Sequence, residues 1–283
     1  MSVGAPWPRS HDSRRDGADW GIGMTEYVEA RVRYLAPVWR DTDEIPTIAD
    51  WSTMAANTVE HTVRVHDAWD ADCDVETTGF QRVSHTTLAD FTDPRSVEHV
   101  YLPEVASLVQ KLTSADHVVA THHYIRWGNP GDFEAGYAGF LHGDKPLADP
   151  MAYSLARARH LQLGPGRSHD FAWYNTWQPI DHPATRNPLA LIDARTVSPG
   201  DLHPYRYDGA GEQNLETVPL HSSAHRFHYF PSLPPEDLIL FKQLDTRPDH
   251  TPTCLHSAFE TPAPPATPLR RSIETRWLCA FTS

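Results

Sequence analysis

From Phe171 to the C-terminus, short apolar runs alternate with Pro-rich turns. They are Phe171–Trp177, Leu189–Asp193, His225–Phe230, Asp237–Lys242, Thr253–Phe259 and Ser272–Phe281. Runs of this length and spacing predict strand after strand, and no long helix fits after about residue 170. Upstream the pattern is mixed. Tyr27–Tyr34 reads as a strand, residues 58–92 hold short alternating runs with a turn at Thr78-Gly79, and Asp116–Tyr124 is a β-branched strand. Val100, Leu102, Val105, Leu108, Val109 and Leu112 recur at helical spacing over 96–113, with Pro103 suited to a first turn. A shorter helix is expected over 150–162. Residues 1–23 are polar, rich in Gly, Arg and Asp, and expected to be disordered. No repeat or long linker divides the chain after residue 23. The expectation is a single domain over 24–283, mainly β with flanking helices, whose core over roughly 117–283 is a double-stranded β-helix: a jelly roll of cupin type.

Composition narrows the function. The 283 residues carry a formal charge of −13, against the basic surface that nucleic-acid binding needs. The three cysteines, Cys73, Cys254 and Cys279, are odd in number and widely spaced, so neither a disulfide framework nor a structural zinc site is expected. No apolar run approaches the ~20 residues of a membrane span, and the N-terminus has no apolar signal region. A cytoplasmic protein acting on a small molecule is expected.

Eighteen histidines raise the question of which few share a site. His142 and Asp144 stand at i and i+2, which places both side chains on one face of extended chain. Alone, an HxD triplet is a weak signal. Its weight comes from the C-terminal half of the chain: an acidic turn and apolar strand (Pro235–Phe241), a strand bearing His256, then Arg270-x-Ser272. That order resembles the double-stranded β-helix oxygenases. Iron(II) held by two His and one carboxylate keeps positions open for a bidentate keto-acid and O2. The far carboxylate of 2-oxoglutarate needs a cation in a dry pocket, and Arg270 with Ser272 has the spacing to supply one. Asn175, if it faces inward, can hydrogen-bond the keto-acid.

Alternatives stay open at this point. His225 competes with His256 as distal ligand; His256 is favoured by the strand before it and the Arg-x-Ser after it. Arg271, Arg276 and Lys242 compete with Arg270. Period two puts 270, 272, 274 and 276 on one face, and Arg276 then suits an ion pair with Glu274 or another acid. Cys254 falls on the His256 face, where a small buried thiol is expected. A cupin-like metal hydrolase or isomerase using no keto-acid is the second reading. A silent β-barrel module, with the three ligands apart in space, is the third.

Longer pieces point to one family. They include Val100–Glu104, His142-Gly143-Asp144, Asn175–Ile180, Pro188–Arg195, Ala224–Pro231, His256–Glu260 and Arg271–Arg276. In this order they resemble the AsaB/CmcJ/NvfI-type, gibberellin-desaturase-like hydroxylase and desaturase family, over roughly residues 78–283. The resemblance implies an iron(II)- and 2-oxoglutarate-dependent oxygenase of secondary metabolism that uses O2, with the metal on His142, Asp144 and His256. Where the family usually follows HxD with Tyr-Thr or Gln-Thr, this chain has Lys145-Pro146.

Overall fold

The computed structural model describes residues 27–127, 138–161, 163, 169–207, 214–261, 264 and 266–282. The expectation for residues 1–23 lies outside these. Twelve strands are present among them: β1 (Tyr27–Leu35), β2 (Thr58–Asp67), β3 (Phe80–Ser84), β4 (His117–Trp127), β5 (His169–Pro179), β6 (Leu189–Ile192), β7 (Leu202–Tyr207), β8 (Asn214–Pro219), β9 (Phe227–Tyr229), β10 (Asp237–Asp245), β11 (His256–Ala258) and β12 (Arg271–Thr282). They form two five-stranded sheets, β1-β2-β9-β6-β11 and β3-β10-β5-β12-β4, and the hairpin β7-β8. Pairing is antiparallel except between β2 and β9. The mainly β, jelly-roll expectation holds. The sheets also draw in β1, β2 and β3, upstream of the 117–283 stretch expected to form the core.

β5, β10 and β12 are the middle strands of their sheet, and burial on both faces explains why their apolar residues do not simply alternate with polar ones. Their outer face, with Ala172, Tyr174, Leu238, Leu240, Ile273 and Trp277, packs against α3 (Leu102–Thr113). Val105, Val109 and Thr113 of α3 recur every fourth residue and are all buried. The helical stretch begins earlier than expected, in α2 (Pro94–Ser96), and reaches α3 through a π turn. Asp93 caps it, its side chain accepting from the Arg95 amide. Left-handed Ser114 ends it. Two shorter helices, α1 (Trp51–Asn57) and α4 (Pro150–Arg157), are capped by Asp50 and Asp149.

The inner face of the same sheet carries Asn175, Trp177, Ile239, Phe241, Gln243, Glu274 and Arg276. Ile273 on the covered outer face confirms the period-two assignment of β12. The β7-β8 hairpin departs from the expected strands. Pro204 and a polar composition hide it from periodicity. Among the described residues no helix is long and apolar enough to cross a membrane.

Candidate metal and co-substrate site

The HxD triplet is held by backbone on both sides. His142 and His256 exchange both amide–carbonyl hydrogen bonds, at 3.1 and 3.0 Å, as a directly opposed antiparallel pair. Opposed residues project their side chains to the same face, and the two imidazole centroids are 4.4 Å apart. On the other side Gly143 exchanges bonds with Thr217 of β8, at 2.7 and 3.0 Å. This clamp puts Asp144, two residues on, back on the face of His142. One ligand atom from each of His142, Asp144 and His256 lies within 4.8 Å of the others, and all three side chains are buried.

His142 and Asp144 are oriented by hydrogen bonds, and the His256 ring packs edge-on against Phe241 at 4.8 Å between centroids. The His142 Nδ1 bonds the Phe140 carbonyl at 3.0 Å. A carbonyl can only accept, so Nδ1 carries a proton and Nε2, 3.5 Å from Asp144 Oδ1, is the nitrogen turned toward the other two side chains. Burial, then His142, pushes the His256 pKa down to about 4, so this imidazole is neutral at physiological pH. Asp144 receives Arg276 Nη2 at 2.9 Å on Oδ1 and a short bond from Asn175 Nδ2 on Oδ2. Its amide donates to Gln243 Oε1 at 2.7 Å. Burial opposes ionisation of Asp144, but Arg276, His256, His142 and Lys145 outweigh it and hold the carboxyl below the usual range. Two imidazoles and an ionised carboxylate, converging in a buried site, are a donor set that fits iron(II).

The other expected residues divide by position. Arg270 is buried, donates to the Asn187 carbonyl at 2.6 Å, and its guanidinium lies 5.4 Å from the Trp177 ring centroid. Ser272 is fully buried and its Oγ has no hydrogen-bond partner among the described residues. Arg276 binds Asp144 and approaches Glu274 at 3.6 Å, the ion-pair position expected for it. Arg271 pairs with Asp181.

Lys242 and His225 serve elsewhere. Lys242 points to the outer face, where Glu76 and Asp245 neutralise it, so it cannot be the counter-ion of a keto-acid at the triad. His225 bonds the Tyr34 hydroxyl at 3.0 Å, approaches Asp201 at 3.4 Å and is no part of the triad. Cys254 is a buried thiol packed among Phe80, Leu191 and Phe241. A second cluster, Glu76, Asp245 and His250, is close enough to ligate a metal, but Lys242 and Arg247 already satisfy its carboxylates.

Two buried charges near the triad were missed. Glu216 of β8 accepts a short bond from the Tyr205 hydroxyl. Burial, and then the neighbouring Asp144 charge, raises its pKa. The residue after the HxD triplet, Lys145, is buried with Nζ 4.7 Å from the Trp173 ring centroid and 5.9 Å from that of Tyr153. Burial, then Arg276, pushes its pKa down to about 8. The departure from the family pattern at Lys145 was the signal available for it; Glu216 had none, because periodicity does not reveal the β7-β8 hairpin.

Known proteins are similar to this chain over nearly its whole length. A family described as the oxidoreductase/YMDC permease-like domain matches residues 27–280. The Fe(II)/2-oxoglutarate-dependent dioxygenase nvfI of Aspergillus novofumigatus is 30% identical over 91% of this chain and 98% of its own. The chain belongs to the NvfI-type family of Fe(II)/2-oxoglutarate-dependent oxygenases. The alpha-ketoglutarate-dependent dioxygenase phiK of a fungal species is 28% identical over 90% of this chain and 96% of its own. A solved variant of the iron and alpha-ketoglutarate-dependent endoperoxidase NvfI superposes with a TM-score of 0.77, at 26% identity, over 93% of this chain and all of that one. The cofactors of this enzyme family are Fe(II), 2-oxoglutarate and O2. A catalytically silent module would leave the three ligands apart, whereas the fold brings them together.

Proposed function

We propose that this enzyme oxidises a C–H bond of a small natural product, with His142, Asp144 and His256 as the iron ligands. The observation that carries this is the convergence of these three buried donors within 4.8 Å, with His142 oriented by the Phe140 carbonyl and Asp144 by Arg276 and Asn175. When bound, iron(II) and 2-oxoglutarate supply the oxidising power from O2. The chain's own residues orient, neutralise and exclude water.

Arg270 and Ser272 receive the far carboxylate of the keto-acid. A buried arginine over Trp177 beside an unpartnered buried hydroxyl supports that role. Asn175 spends one N–H on Asp144 and has a second for the keto-acid. Arg276 is a positioning residue: it fixes the rotamer of Asp144 and keeps it ionised. The hydroxylase/desaturase efuI and the endoperoxidase NvfI among the relatives point to C–H oxidation in general. The product class depends on where a substrate C–H sits relative to the metal, within about an ångström. Residues 24–283 act as one oxygenase unit. The net charge of −13 supports a small-molecule rather than a nucleic-acid partner, and three unpaired thiols support a cytoplasmic setting.

The test is spectroscopic. Iron(II) and then 2-oxoglutarate are added without oxygen, and the visible charge-transfer band of a chelated keto-acid is expected. The band should vanish in His256→Ala and weaken in Arg270→Ala. Iron binding without a band would remove the keto-acid role and favour a hydrolase or isomerase. No iron binding would remove the metal assignment.

A further inference from the structure

The inner face of β5 presents Trp173, Asn175 and Trp177 in alternation. Asn175, in the middle, holds Asp144. A cation lies over each outer ring: Lys145 Nζ at 4.7 Å from Trp173, and Arg270 at 5.4 Å from Trp177. Four strand residues span about 13 Å at ~3.3 Å each. The two cations therefore flank the metal ligands from opposite ends. A five-carbon keto-acid anchored by one end at the triad reaches one of them and not both.

Lys145 is the cation that packing leaves unexplained. It is 5% exposed, and its Nζ has ring faces but no hydrogen-bond or ion-pair partner among the described residues. The acids whose charge reaches it are engaged elsewhere: Asp144 by Arg276 and Asn175, Glu216 by Tyr205. An ammonium taken out of water without a direct counter-ion carries a large desolvation penalty, of which two aromatic faces return only part. Arg157, its guanidinium 3.7 Å from the Tyr153 centroid, adds positive charge at the same end. An arriving anion would meet a preorganised, dehydrated site.

We propose that Lys145 anchors a carboxylate of the prime substrate, which makes this enzyme an oxygenase of acidic small molecules. The inference rests on Arg270 and Ser272 serving the keto-acid, so that the opposite cation belongs to the substrate.

The test uses the protein loaded with iron(II) and 2-oxoglutarate without oxygen, so that ligands bind but do not turn over. Aliphatic and aromatic monocarboxylic acids, each paired with its primary amide, are screened by thermal shift and titrated by calorimetry. The acids are expected to bind at least about tenfold more tightly than their amides. Lys145→Met, which keeps the stem's packing, should abolish that difference, and Lys145→Arg should retain it. Keto-acid affinity, read from the visible band, should change less than about twofold in both variants. The proposal is overturned if acids and amides bind alike, or if the preference survives Lys145→Met. It is also overturned if Lys145→Met weakens the keto-acid about tenfold, because Lys145 would then serve the co-substrate. An absent band in the unmutated protein defeats the keto-acid assignment separately, since the acid–amide comparison judges Lys145 with or without it.

Discussion

Replacing Asn175 by leucine separates metal affinity from stability. Asn175 is fully buried, and its Nδ2 makes a charge-assisted bond to Asp144 Oδ2, while its Oδ1 has no hydrogen-bond partner among the described residues. Leucine, with the same branching at Cγ but bulkier methyl groups, removes both. Losing a hydrogen bond to a charged group costs about 1.5–3 kcal/mol. At ~1.4 kcal/mol per decade this is roughly a 10- to 150-fold weaker iron(II) affinity, in line with the ~10- to 100-fold typical of groups that orient metal ligands. Stability should change far less. The carboxylate keeps Arg276 at 2.9 Å, and the desolvation of the unpartnered Oδ1 is recovered. The assay is anaerobic iron(II) titration by calorimetry, alongside urea denaturation of the metal-free protein. An iron affinity within about twofold of the parent, with a large loss of 2-oxoglutarate affinity, would refute the reasoning. The amide would then serve the keto-acid and not the ligand.

Other parts of the molecule give further expected outcomes. Arg270→Met should raise the 2-oxoglutarate KM by at least about tenfold, the loss of one charged hydrogen-bond pair, and leave iron(II) affinity unchanged; steady-state kinetics and iron titration check both. Burial opposes ionisation of Glu76, but Lys242 and its other partners prevail and lower its pKa from 4.5 to about 2. Because the folded-state pKa is the lower one, this stabilisation is complete above pH 4.5 and is lost as pH falls toward 2. Glu76→Gln should therefore cost about 2–3 kcal/mol at pH 7 and flatten the acid limb of urea-denaturation stability; an unchanged acid limb would contradict it. Gly79 has φ +87°, and a Cβ there would meet the Cys254 Cβ at 3.0 Å and the Ala194 Cβ at 3.2 Å. Gly79→Ala should cost about 2–4 kcal/mol from left-handed strain and overpacking together, measured by urea denaturation.

Much of the protein was legible along the chain because its signals are local. A side-chain period of two marks a strand whatever it packs against. It also sorted β12 correctly, with Ile273 toward α3 and Glu274 and Arg276 inward. The HxD spacing named two ligands for the same reason, since i and i+2 of extended chain share a face. Family order then supplied the chemistry. Contacts between residues far apart in sequence had to wait for tertiary structure. The order of strands around it favoured His256 over His225, but that His256 lies against His142 is a pairing across 114 residues that no local pattern encodes. Lys242 looked available as a counter-ion because its acids, Glu76 and Asp245, reach it only once β10 is turned outward. Glu216 was invisible because its hairpin lacks an apolar stripe, yet pairing of Thr217 with Gly143 carries it to the metal site. By itself, then, the sequence determined the strand-rich fold, the family and the candidate triad His142, Asp144 and His256. Tertiary structure alone decided that the three candidates converge and which charges are already neutralised, because both depend on the distances between side chains that only folding brings together.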